Sequence, residues 1–94
     1  MKGMTNEDYT RSVLDTIDLE PYLKGAKNDT RAYDIMQAIG DDNDEGFKDN
    51  PVFQGSLFNC LNEDEFIDYI RRRYGGKYDF YEKETWCFYR RKYL

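Results

Sequence analysis

The side chains able to do chemistry are few in this sequence, and one type is missing altogether: there is no histidine. Without an imidazole the usual general base is gone, and with it Ser-His-Asp triads, Cys-His dyads and most catalytic zinc sites. Ser12 and Ser56 lie in no nucleophile elbow, and no glycine-rich turn opens a helix as a phosphate-binding loop requires. Cys60 and Cys87 are separated by 26 residues, a spacing that makes neither a disulfide framework nor a metal site. Both are expected to be reduced thiols serving as small apolar side chains. A carboxylate pair does acid-base work only where a cleft raises one pKa, and a helical chain this small rarely encloses one. No residue is assigned a catalytic role, and the protein is expected not to be an enzyme.

The densest run of potential ligands is Asp41-Asp42-Asn43-Asp44-Glu45-Gly46. With Gly46 as the turn glycine of an EF-hand loop, Asp41, Asn43 and Glu45 take the first three ligand positions and Asp49 the ninth. The twelfth position is Val52, where a bidentate glutamate is needed, so the run reads as a solvated acidic loop with no metal and no cofactor.

Charge is divided unevenly along the chain. Residues 1–70 carry 16 Asp and Glu against 6 Lys and Arg, whereas residues 71–94 carry 3 against 8. An acidic body of this kind, with a pI near 4.7, repels nucleic acid and is steered toward basic protein surfaces. The candidate partner-binding residues on the acidic face are Asp41, Asp42, Asp44, Glu45, Asp49, Glu63 and Asp64. The basic, tyrosine-rich end supplies a second set: Arg72, Arg73, Tyr78, Tyr81, Tyr89 and Arg91. Arg, Tyr and Trp dominate binding hot spots, which makes this end a second candidate half of a protein interface.

In size and charge the chain resembles the small acidic inhibitors that viruses and mobile elements use against nucleases, restriction enzymes or CRISPR complexes, and the immunity proteins paired with nuclease toxins. The resemblance is one of type and is carried by no motif. It implies a noncatalytic inhibitor or modulator whose acidic surface occludes the basic nucleic-acid site of a host enzyme. The alternative is a small single-stranded nucleic-acid-binding protein using the C-terminal Arg/Tyr-rich segment, where cations for phosphates alternate with aromatic faces for bases. A third arrangement docks the positive end of one copy on the negative body of another, giving a homodimer.

These residues must be positioned by a single 94-residue domain, since a chain this long supports one core. Its hydrophobic fraction is only 39%, yet nine tyrosines, six phenylalanines and a tryptophan argue for folding over disorder. The N-terminus shows no apolar signal segment and no stretch is long enough for a membrane span, so a cytoplasmic protein is expected. Thr5 ahead of Asn6-Glu7-Asp8 predicts a helix start, with Val13, Leu14 and Ile17 as its inner stripe. Pro21 opens a short turn that Gly25 closes. A second helix is predicted over Thr30–Ile39, ended by Gly40 in the left-handed conformation. Val52–Leu61 reads as a short helix after Asn50-Pro51, or as a buried strand. Glu63–Tyr74 is the clearest helix: Asn62 caps it, acids fill its first turn, and Arg71, Arg72 and Arg73 fill its last. Lys77–Tyr81 and Thr85–Tyr93 alternate in polarity and predict a hairpin whose inner residues are Phe80, Trp86 and Phe88. The expected fold class is therefore α+β: three to four helices packed against a C-terminal antiparallel β-hairpin.

Overall fold

Reciprocal caps at two positions decide where the chain turns helical. The Thr5 hydroxyl accepts from the Asp8 amide at 3.0 Å while the Asp8 carboxylate accepts from the Thr5 amide at 3.5 Å, opening helix α1, Asn6–Leu14. Asn62 and Glu65 repeat the exchange at 2.8 and 2.9 Å to open α5, Glu63–Tyr74. Between them lie α2, Glu20–Lys24, with Pro21 where a missing N–H costs nothing, then α3, Ala32–Asp42, and α4, Asp44–Phe47. In this computed structural model residues 5–25 and 30–75 are described in full, and 78–82 and 86–90 by their backbone.

The apolar faces of these helices close on one another. Leu14 of α1, Leu23 of α2, Ile35, Met36 and Ile39 of α3, and Phe66, Ile67 and Ile70 of α5 are all buried in one cluster. Each such side chain contributes roughly 1.5–3 kcal/mol of transfer free energy, so the cluster together outweighs the caps, each worth about 0.5–2 kcal/mol. Phe47 and Phe53 stack at 5.2 Å between ring centres and fill the gap under α4. One buried polar joint crosses this core. The Asn50 side chain donates to the Thr10 hydroxyl at 2.8 Å, and that hydroxyl donates to the Asn6 carbonyl at 2.7 Å.

The expected α+β fold class is corrected by these findings. Across residues 5–25 and 30–75 the chain is 66% helical and 3% strand, the strand being β1, Thr30–Arg31. The described core is helix against helix, and the expected packing of helices onto a C-terminal two-stranded hairpin does not account for it. The backbone segments β2, Tyr78–Glu82, and β3, Trp86–Arg90, are ordered β1-β3-β2, with Thr30 opposite Phe88. The side chains of Phe80, Trp86 and Phe88, predicted to face the helices, lie outside the described residues.

Three local expectations also change. Helix α3 starts two residues later than predicted and runs past Gly40, which is buried inside it. A Cβ at Gly40 would meet the backbone nitrogen and Cβ of Leu57 at 3.5 Å, ordinary van der Waals contact, so this glycine is an interior helical residue facing Leu57 and does not end the helix. The helix ends instead at Asn43, whose amide group donates to the Ile39 carbonyl at 2.9 Å. The predicted acidic loop is consequently the end of α3 followed by α4. Residues 52–61 form neither the predicted helix nor a strand, because Gln54 (φ 44°) and Gly55 (φ 80°) are both left-handed and reverse the chain before a 3-10 turn at Leu57–Asn59.

The positive φ of Gly55 makes a sharp test. Gly55→Ala is expected to cost about 1–2 kcal/mol in chemical denaturation, since the added Cβ must adopt the left-handed region. Gly25 has φ −87° and open space around it, so Gly25→Ala should be neutral or gain about 0.4–1 kcal/mol. Equal effects at the two glycines would contradict this account.

Candidate functional site

Helix α3 delivers Asp41 and Asp42 in its last turn, Asn43 breaks the helix, and α4 begins at once with Asp44 and Glu45; Asp49 follows two residues after α4 ends. All five carboxylates are exposed. Nine residues in mostly helical conformation advance only about 13 Å, so each charge lies within roughly a Debye length of its neighbours. Between residues 32 and 62 there are six carboxylates and one lysine, Lys48, and Lys48 pairs with Glu45 at 2.9 Å. Asp42 accepts from the Tyr22 hydroxyl at 2.9 Å, and burial, followed by that carboxylate, raises the Tyr22 pKa. Among the described residues no ion pair reaches Asp41, Asp44 or Asp49.

The remaining acidic candidates stand elsewhere on the backbone, in the first turn of α5. Asp64 is exposed and Glu63 half-buried. The Oε2 atom of Glu63 is shielded from solvent without a hydrogen-bond partner among the described residues, a burden that the positive end of the α5 dipole offsets in part. No group of three or more His, Cys, Asp or Glu side chains among the described residues is placed to hold a metal ion. No helix among them is long and apolar enough to cross a membrane.

The basic set is distributed differently. Arg72 is exposed and pairs with Asp68 one turn back at 3.0 Å. Arg73 turns inward. Its guanidinium donates to the Leu14 carbonyl at 2.9 Å, the Ile17 carbonyl at 2.6 Å and the Tyr69 hydroxyl at 3.0 Å. Tyr69 in turn donates to Asp15 at 2.5 Å, and the Tyr74 hydroxyl accepts from the Leu19 amide at 3.1 Å. One face of α5 thus reaches the turn that follows α1, where the Leu14 carbonyl also accepts the Ile17 amide at 3.0 Å and the Ile17 carbonyl accepts from Arg73. For Tyr78, Tyr81 and Tyr89 only the backbone is described, and Arg91 lies outside the described residues.

A second feature borders the acidic corner and was not singled out by the sequence. Tyr33, Gln37, Gly40 and Asp41 of α3 face Gly55, Ser56, Leu57 and Phe58 across a cleft of about 160 Å³. The Tyr33 ring stacks on Phe58 at 4.2 Å and is 50% exposed. The four-residue spacing of Tyr33, Gln37 and Asp41 was available as a signal, but the opposing wall depends on the unforeseen reversal at Gln54-Gly55. Searches against protein-family models, curated proteins and solved structures found no match to this chain.

Two measurements follow from the α5 clamp. Arg73→Met keeps the alkyl stem but strands the Ile17 carbonyl and leaves the Leu14 carbonyl with the Ile17 amide alone, and is expected to cost on the order of 1–3 kcal/mol in denaturant unfolding; a loss below about 0.5 kcal/mol would show that the clamp is incidental. Burial, then the bond to Asp15, pushes the Tyr69 hydroxyl from 10.0 up to about 12. A raised folded pKa contributes stability that is complete below pH 10 and disappears as pH climbs through 12. Tyr69→Phe should therefore flatten the decline in stability between those pH values, read by urea titrations at stepped alkaline pH.

Proposed function

We propose that this chain is a noncatalytic protein-binding modulator that occludes a basic, nucleic-acid-binding surface of another protein, in the manner of inhibitors that stand in for nucleic acid. The observation that carries the reading is the exposed corner where α3 meets α4, with its carboxylates answered by one lysine. Helix stability does not explain them all. Asp41 and Asp42 sit at the negative end of the α3 dipole, where each costs a few tenths of a kcal/mol or more. Asp42 recovers part of that cost through its bond from Tyr22, whereas Asp41 has no ion pair among the described residues, and residues that break a local rule without evident return are where function is to be sought. The corner is also close-set enough to act on an approaching partner as a field and not as isolated charges.

The partner, on this reading, holds phosphates with lysine and arginine in a groove, and the carboxylates occupy those cations in place of nucleic acid. Direct binding of nucleic acid by the C-terminal segment is the weaker reading, because Arg73, one of its cations, is committed to the Leu14 and Ile17 carbonyls.

The test replaces Asp41, Asp44, Glu45 and Asp49 with lysine and leaves Asp42, which bonds Tyr22, in place. Partners captured from the native host on the wild-type chain should be released by a short DNA or RNA duplex. They should associate with the variant at least about tenfold more slowly at low salt, with a flattened salt dependence. Capture that is indifferent both to the four substitutions and to competing duplex would eliminate this function.

A further inference from the structure

We infer that the cleft between α3 and the turn at residues 55–58 is a slot for one arginine side chain of the partner protein; the inference rests on the proposed occlusion of a basic surface and names the contact that gives it specificity. The cleft's volume, about 160 Å³, falls below the roughly 300–1,000 Å³ of small-molecule sites, so it is scaled to a side chain and not to a cofactor or nucleotide. Its lining is ordered along one stripe of α3. Tyr33, Gln37 and Asp41 recur at four-residue spacing and so share a face. At one end the Asp41 carboxylate and the Gln37 amide oxygen, one turn apart, offer three acceptors to a planar donor. At the other the stacked Tyr33 and Phe58 rings offer an apolar wall.

That sequence of surfaces matches arginine end to end. The guanidinium forks its N–H groups onto carboxylate and amide, while the methylene stem lies against the rings. Lysine supplies the charge without the fork and meets fewer of the acceptors. Asp41 is exposed and has no cationic partner among the described residues, so no internal ion pair must break first. The walls are preset too. Tyr33 is held by its stacking on Phe58, and Ser56 accepts from the Phe58 amide at 3.2 Å. A preorganised slot avoids part of the ordering cost of association.

The experiment is an amide-resonance titration of the full chain with a blocked Gly-Ser-Arg-Ser-Gly peptide, beside the same peptide carrying citrulline, the neutral isostere of arginine. Saturable shifts are expected at Gln37, Gly40, Asp41 and Ser56 with the arginine peptide and none with citrulline. Asp41→Asn, isosteric and exposed, should weaken the arginine peptide about tenfold, and Tyr33→Ala should weaken it severalfold. The triple variant Asp44→Asn, Glu45→Gln, Asp49→Asn should change it less than about threefold, since those charges act only at a distance. Absence of saturable shifts, equal binding of citrulline, or an unaltered affinity in Asp41→Asn each overturns the slot. If the slot fails while capture of the partner still depends on the four lysine replacements, the acidic-corner reading stands without it; loss of both removes the function itself.

Discussion

Arg73 holds the fold at its most exacting point. A helix that ends inside a small structure leaves carbonyls that water reaches poorly, and each must find a donor. The guanidinium of Arg73 serves the Ile17 carbonyl, adds a second donor to the Leu14 carbonyl beside the Ile17 amide, and holds Tyr69 against Asp15 beside the same helix end. Because these partners lie more than fifty residues apart in sequence, the contact fixes α1 and α5 relative to each other. The shared apolar cluster then packs between them and over α3. Apolar burial supplies most of the stability, but it is indifferent to direction, whereas three donors from one planar group are not.

With α1 and α5 joined in this way, α3 presents its inner stripe, Ala32, Ile35, Met36 and Ile39, to the core and its outer stripe, Tyr33, Gln37 and Asp41, to solvent. The division is a plain consequence of helical period, and it places the acidic corner and the cleft side by side on the same element. On the proposed reading the corner would act at a distance on encounter, and the cleft on contact.

What the sequence discloses about this fold is local, and what it conceals is set by distant partners. The boundaries of α5 are legible to the residue because Asn62, Glu65 and the three arginines are short-range signals. Gly40 reads as a helix stop because glycine is common there, yet it stands inside α3, and the residue that ends the helix, Asn43, reaches back to the Ile39 carbonyl. The turn at Gln54 was hidden, since glutamine rarely takes positive φ. The expectation that a C-terminal hairpin would seat the helices failed because Leu19, Leu23, Phe47, Leu61 and Ile67, outside the predicted stripes, complete a core among the helices themselves. The acidic candidates at 41–49 were legible from composition. That Arg73 is occupied internally was not, because nothing near it in sequence announces the carbonyls it reaches.

The joint between Asn50 and Thr10 separates two kinds of sensitivity. It is a buried bond between uncharged groups, 3% and 0% exposed, so ionic strength does not screen it and no pH in the ordinary range titrates it. The exterior of this protein is, by contrast, governed by charges that salt attenuates. A rise in ionic strength therefore weakens the field of the acidic corner while the attachment of the first helix to the middle of the chain stays as it was.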